Sequence, residues 1–243
     1  MPTANVNGID LYFEEHGSGA PLVLLHGGLQ TIELAFGDTL AEFAKRHRVI
    51  AIELQGHGRT PDTERDFTLE HLADDVVALL DHLGIEQADV LGFSLGGLAA
   101  TQVGAAHPAR VRRLVLASAH VRPDGYHDGI FAGTRTDLLP TERDFQSMVE
   151  AYQAVAPDPD HFAAFAGKVS ALPPTVDFSD DELRSITAPT LVLIGDTDFV
   201  RIEHATLMRD LIPNAQLGVL PDTTHMGLLR NTATVPLVER FLA

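Results

Sequence analysis

Six short apolar runs recur along this chain, and none alternates regularly with polar residues: Pro21–Leu25, Arg48–Leu54, Ala88–Phe93, Arg113–Ala117, Pro189–Ile194 and Gln216–Leu220. A strand that is apolar along its whole length has to be covered on both faces, which is the situation of a parallel sheet between two layers of helix. Segments of helical period lie between the runs. From Thr68 to Leu83, the apolar residues Leu69, Leu72, Val76, Leu79, Leu80 and Leu83 fall three and four apart, behind a capping threonine and before Gly84. Leu95–His107 and Thr232–Leu242 read as two more helices. Strand and helix in this alternation predict an α/β fold built on a mostly parallel, doubly wound sheet. Asn5–Glu14 differs and reads as a short strand pair at an antiparallel edge.

One stretch breaks the rhythm. Residues 122–187 hold helical pieces but no buried strand, and their 12 acidic against 5 basic residues make them net −7. An insertion between two strands of such a sheet falls where ligand crevices form, so it is expected to be a helical cap over a core made of residues 1–121 and 188–243.

Composition removes several classes of function. With no cysteine, disulfides, thiolate metal sites and a cysteine nucleophile are all excluded. The formal charge of −17 repels phosphate backbones and anionic lipid, and the densest basic clusters, Lys45–Arg48 and Arg110–Arg113, sit beside strands as solvated charges. Nucleic acid is therefore not an expected partner. No apolar run approaches the ~18 residues of a membrane span, and the first ten residues lack the pattern of a secretory signal, so a cytoplasmic location is expected. The histidines show no paired ligand spacing, and no metal or other cofactor is called for.

The chemistry is carried by Gly92-Phe93-Ser94-Leu95-Gly96-Gly97, which ends a strand and opens a helix. A serine on so tight a turn needs small neighbours, and the flanking glycines supply them. The turn lifts Ser94 over the carboxyl edge of the sheet, with the positive end of the following helix toward any developing negative charge. The base expected to serve it is His225, in the loop leaving the last strand. The carboxylate expected to orient His225 is Asp198, with Asp196 and, more remotely, Asp124 as alternatives. His26-Gly27-Gly28 follows the first long strand. The backbone N–H groups of Gly28 and Leu95 are expected to form an oxyanion hole, and His26 to orient its own loop.

Taken together, HGG at 26–28, Gly56-His57-Gly58-Arg59-Thr60, GFSLGG at 92–97, Gly195–Asp198 and the His225 loop resemble the alpha/beta-hydrolase superfamily, over nearly the whole chain outside 122–187. The resemblance implies that Ser94 attacks a carbonyl carbon, that His225 takes and returns the proton, that Asp198 orients His225, and that water resolves an acyl-enzyme. It also implies that Gly56–Thr60 is a structural turn. Three departures stand out: Thr224 where a glycine commonly precedes the histidine, Glu53 in place of an aspartate, and Thr60 in place of a serine. Ser94 excludes relatives with an aspartate nucleophile, and the absence of tryptophan excludes the haloalkane dehalogenases a second time. The expected reaction is hydrolysis of a small to medium, mostly apolar carboxylic ester or lactone. Carbon–carbon or thioester hydrolysis by the same triad, or a receptor-like member of the fold, are the alternatives. Gly28 is expected to leave room on the acyl side of the pocket. Phe131, Leu138, Leu139, Met148, Phe162 and Phe165 are candidate pocket lining or the cap's own core.

Overall fold

The six apolar runs become six parallel strands, β3 (Ala20–Leu25), β4 (His47–Ile52), β5 (Ala88–Phe93), β6 (Val111–Ala117), β7 (Thr190–Thr197) and β8 (Ala215–Thr224). The expected edge pair is β1 (Thr3–Val6) and β2 (Ile9–Gly17), joined by Asn7 and Gly8. Both take positive φ, as a two-residue hairpin with strands of this twist requires. In the computed structural model, which describes residues 3–130 and 132–243, the sheet order is β1-β2-β4-β3-β5-β6-β7-β8, with β2 antiparallel to β4. Every residue of β5 is buried, because the central strand has helices on both sides.

The helices follow from residue choice. α1 (Ile32–Phe36) and α2 (Leu40–Phe43) precede β4. α3 (Leu69–His82) starts at Thr68, whose hydroxyl accepts from His71 N–H, and buries Leu69, Leu72, Val76, Leu79 and Leu80. α4 (Leu95–Ala106) has no polar stripe. It is made of small residues because it is covered all round, and a Cβ on Gly96 would drive into the Leu25 carbonyl of β3. The basic clusters are spent on acidic neighbours: Arg48 pairs with Glu15, Arg110 with Asp81 and Arg112 with Asp89.

Between β6 and β7 the chain holds α5 (Glu142–Val155), α6 (Phe162–Ala171) and α7 (Asp180–Ser185). Among the described residues its one strand pairing is a single bridge from Tyr126 to Val200. α5 and α6 open onto the carboxyl edge of the sheet, whereas α7 packs against α4 and α8 (Ile202–Leu211) within the helical layer. α5 begins with a reciprocal box, Thr141 to the Asp144 N–H and Asp144 back to the Thr141 N–H. The segment is latched to the core at Asp62, which accepts from His161 Nε2 (2.8 Å) and Lys168 Nζ (2.7 Å). α9 (Thr234–Leu242) closes the chain.

Candidate active site

Strands β3 to β8 all point the same way, so the residues that follow them meet at one edge of the sheet. Ser94 follows β5 directly and has φ 52°, ψ −116°, a conformation that costs a non-glycine residue energy and is held by its surroundings. Three backbone bonds hold it: Ser94 N–H to Ala117 O (2.8 Å), Gly96 N–H to His26 O (3.0 Å) and Leu98 N–H to Ser94 O (3.0 Å). A Cβ on Gly92 would meet the Gly96 carbonyl, so the turn closes only with glycine on both sides.

His225 follows β8, and its Nε2 lies 3.0 Å from Ser94 Oγ. Its Nδ1 lies 2.8 Å from Asp198 Oδ1. A carboxylate only accepts, so Nδ1 carries the proton, and Nε2 presents a lone pair to the serine hydroxyl. The ring is clamped by Phe199, stacked at 3.8 Å between centroids, and by Phe93 at 5.0 Å. Thr224, standing where glycine is common, accepts from Gly227 N–H through both its carbonyl (3.1 Å) and its hydroxyl (3.2 Å). The threonine therefore ties the loop rather than distorting it.

Asp198 is buried, and its four acceptor positions are well used. Oδ1 receives His225 and the Val200 N–H (3.0 Å), and Oδ2 receives the Ser118 hydroxyl (2.5 Å). Burial pushes this carboxyl up, but His225, Ser118 and the Val200 amide outweigh it and hold it below the ordinary aspartate value. Asp196 is exposed and caps the Thr223 N–H at 3.1 Å, and Asp124 is exposed beside His204. Of the three candidate carboxylates, Asp198 alone reaches His225. Ser118 was not anticipated. The readable sign was a hydroxyl residue immediately after a buried strand that ends at this edge, here with φ 50°.

His26 is fully buried, with Nδ1 2.8 Å from the Gly27 carbonyl and Nε2 accepting the Leu54 N–H at 3.1 Å. Burial lowers its pKa to about 4, so it is a neutral brace between two loops. Glu53, also fully buried, accepts from the Arg59 N–H (2.5 Å), the Arg59 guanidinium (2.8 Å) and the Ile32 N–H (3.4 Å). Thr60 donates to the Glu53 carbonyl (2.6 Å) and receives the Tyr12 N–H (2.9 Å), so Glu53 and Thr60 brace the Gly56–Thr60 turn. Gly28 and Leu95 both border the space above Ser94, and Leu95 opens a helix, where the first amides have no intrahelical acceptor. The room expected at Gly28 is not open: a Cβ there would stand 2.9 Å from Val169 Cγ1 of α6.

Ser94 and His225 open into a cavity of about 510 Å³. Its wall is chiefly apolar and shared between the sheet edge (Leu29, Phe93, Leu95, Leu98, Phe199) and the intervening segment (Leu139, Phe145, Met148, Val169). Leu139 and Met148 are thus lining. Phe162 and Phe165 are packing residues instead. Phe165 lies edge-on to His57 and Phe67, and Phe162 edge-on to Tyr152. Leu138 does not line the cavity, and Phe131 lies outside the described residues. Among the described residues, no group of three or more histidine or acidic side chains is placed to hold a metal ion, and no helix is long and apolar enough to cross a membrane.

A family model described as alpha/beta hydrolase fold matches residues 20–130. The 2-hydroxymuconate semialdehyde hydrolase of Pseudomonas sp. strain CF600 is 31% identical over 97% of this chain and 91% of that protein. The chain belongs to the alpha/beta-hydrolase superfamily. Within that superfamily, a non-heme haloperoxidase of Rhodococcus erythropolis is 28% identical, over 94% of each chain. The structure of Est816, described as an N-acyl homoserine lactone degrading enzyme, superposes with a TM-score of 0.77 at 27% identity, covering 99% of this chain and 100% of that one. Hydrolase activity goes with membership in this alpha/beta-hydrolase group.

Proposed function

We propose that this alpha/beta hydrolase cleaves small to medium, mostly apolar carboxylic esters or lactones through an acyl-enzyme on Ser94. The observation that carries the reading is the unbroken hydrogen-bond chain from Ser94 through His225 to Asp198 at the mouth of an apolar cavity. In the first half-reaction the Ser94 hydroxyl gives its proton to His225 Nε2 while Oγ bonds to the substrate carbonyl carbon. The resulting imidazolium stands against Asp198, and the oxyanion is received by the N–H groups of Gly28 and Leu95. His225 returns the proton to the departing alkoxide. Water, deprotonated by the same nitrogen, then releases the acid. α5 and α6 serve as a lid that keeps the cavity dry. A cavity of this size and polarity suits a substrate with a short aliphatic or ring-bearing acyl part.

Hydrolysis of a carbon–carbon bond next to a carbonyl is the second reading, favoured by the 31% identity to a hydrolase named for 2-hydroxymuconate semialdehyde. The test is steady-state hydrolysis of p-nitrophenyl esters from acetate to octanoate by wild type and Ser94→Ala. Turnover should fall at least about a thousand-fold in the variant, with no loss of folded protein. An active Ser94→Ala variant would refute the mechanism, and a folded wild type inert on every ester would move the assignment to the carbon–carbon reading.

A further inference from the structure

Gln30 stands in the turn after β3, with its backbone N–H on the Gly27 carbonyl (3.2 Å) and its side-chain Oε1 receiving the Gly27 N–H (3.1 Å). An amide whose oxygen faces an N–H has its nitrogen at the opposite corner, which fixes the orientation of the group. Gln30 is only 4% exposed, and it borders the cavity above Ser94. Its Nε2 meets no acceptor among the described residues, yet it is not sealed from open space, so its donors face the cavity. The other buried polar groups on that wall differ: Ser118 spends its hydroxyl proton on Asp198, and His120 Nε2 lies 3.1 Å from the Pro173 carbonyl. In a chiefly apolar cavity, Gln30 thus offers amide donors to an acceptor on the ligand.

We propose that Gln30 selects substrates whose acyl chain carries a second oxygen acceptor, in the first instance an oxo group on the third carbon. The inference rests on the serine-hydrolase reading, since Gln30 belongs to the same turn as Gly28, whose amide receives the scissile carbonyl oxygen. A 3-oxo acyl chain can turn both carbonyl oxygens to one side, so the Gly28 amide and the Gln30 side chain of one turn can serve both. An oxygen on the alcohol portion is the competing placement, which a matched alcohol-side pair tests.

The experiment measures kcat/KM for methyl butanoate and methyl 3-oxobutanoate in wild type, Gln30→Met and Gln30→Glu. Butyl butanoate and 2-methoxyethyl butanoate form a matched pair with the extra oxygen on the alcohol. Taking ratios within each enzyme and then between enzymes cancels both intrinsic reactivity and any general loss from the disturbed Gly27 contact. The preference for the 3-oxo ester should drop between about two-fold and about ten-fold in both variants, with no change for the alcohol-side pair. An unchanged ratio, or a drop confined to the alcohol-side pair, overturns the proposal. A Ser94→Ala control separates the two failures: if it retains full turnover the nucleophile reading falls, and if it is inert while the ratio is unmoved only the role of Gln30 falls. Should a Gln30 variant not fold, the 15N signal of the Gln30 side-chain amide in Ser94→Ala decides. It should shift on addition of methyl 3-oxobutanoate and not of methyl butanoate, and equal responses overturn the proposal.

Discussion

The edge of the sheet and the helices facing it across the cavity are built in different ways. At the edge, Ser94 and Ser118 hold positive φ, and Gly92 and Gly96 are pressed against backbone carbonyls, so position is fixed by main-chain atoms that have nowhere to move. Across the cavity, α5 and α6 are held by side chains: a capping box, a few aromatic contacts, and the Asp62 latch to His161 and Lys168. Ser94, His225 and Gln30 thus stand on parts locked by main-chain contacts, and the facing wall of the cavity on parts held by side chains.

The same substitution should separate the two most sharply. Gly96→Ala puts a methyl group into the Leu25 carbonyl and should cost more than about 4 kcal/mol or prevent folding. Gly167→Ala, on the exposed face of α6 with open space around it, should stabilise by about 0.5–1 kcal/mol. Thermal unfolding of both variants checks this, and a tolerated Gly96→Ala would break the comparison.

Acid should act next. Burial holds His26, His120 and His204 neutral, each with its pKa lowered to about 4. Below about pH 6.5 the unfolded chain takes up protons that these folded sites refuse, so their contribution is complete above pH 6.5 and is lost as pH falls toward 4. Urea unfolding should show about 2 kcal/mol less stability at pH 5 than at pH 7 for each of the three that stays buried. A flat profile would mean that protons enter these sites freely. The smallest effect is expected at the latch. Asp62→Asn removes a largely buried carboxylate from two partners that are partly in water, which is worth about 1 kcal/mol or less. Faster amide hydrogen exchange confined to α6, with the melting temperature nearly unchanged, is the expected reading. Faster exchange through β5 as well would show the two regions to be one cooperative unit.

What the sequence disclosed follows the same division. The runs that became β3 to β8 are legible because burial on two faces leaves no polar alternation, and Thr68 and Gly84 mark α3 because capping is local chemistry. Ser94 and His225 are legible because each follows a strand, and strand ends converge. Asp198 over Asp196 is legible because the carboxylate still within the end of β7 is used for capping, here on the Thr223 N–H, and the one beyond the strand reaches His225. Ser118 and Gln30 stayed hidden: a hydroxyl or an amide after a strand is common, and its meaning comes from a partner 80 residues away or from a cavity wall. On the other wall, one apolar pattern on α5 and α6 served both inward packing, as at Phe165, and cavity lining, as at Val169, and spacing does not tell these apart.

The contact between Gly28 and Val169 bears on how such an enzyme is redesigned. The floor of the site admits almost no variety, so libraries that randomise residues 92 to 97 would be spent on dead clones. Val169 belongs to α6, the more forgiving element, and its Cγ1 is the atom that most closely fills the space beside Gly28. Trimming Val169 to alanine would open a pocket next to Gly28 without touching the reacting atoms. Bulk could then be traded between the two positions, the way a locksmith cuts the key side and leaves the bolt alone.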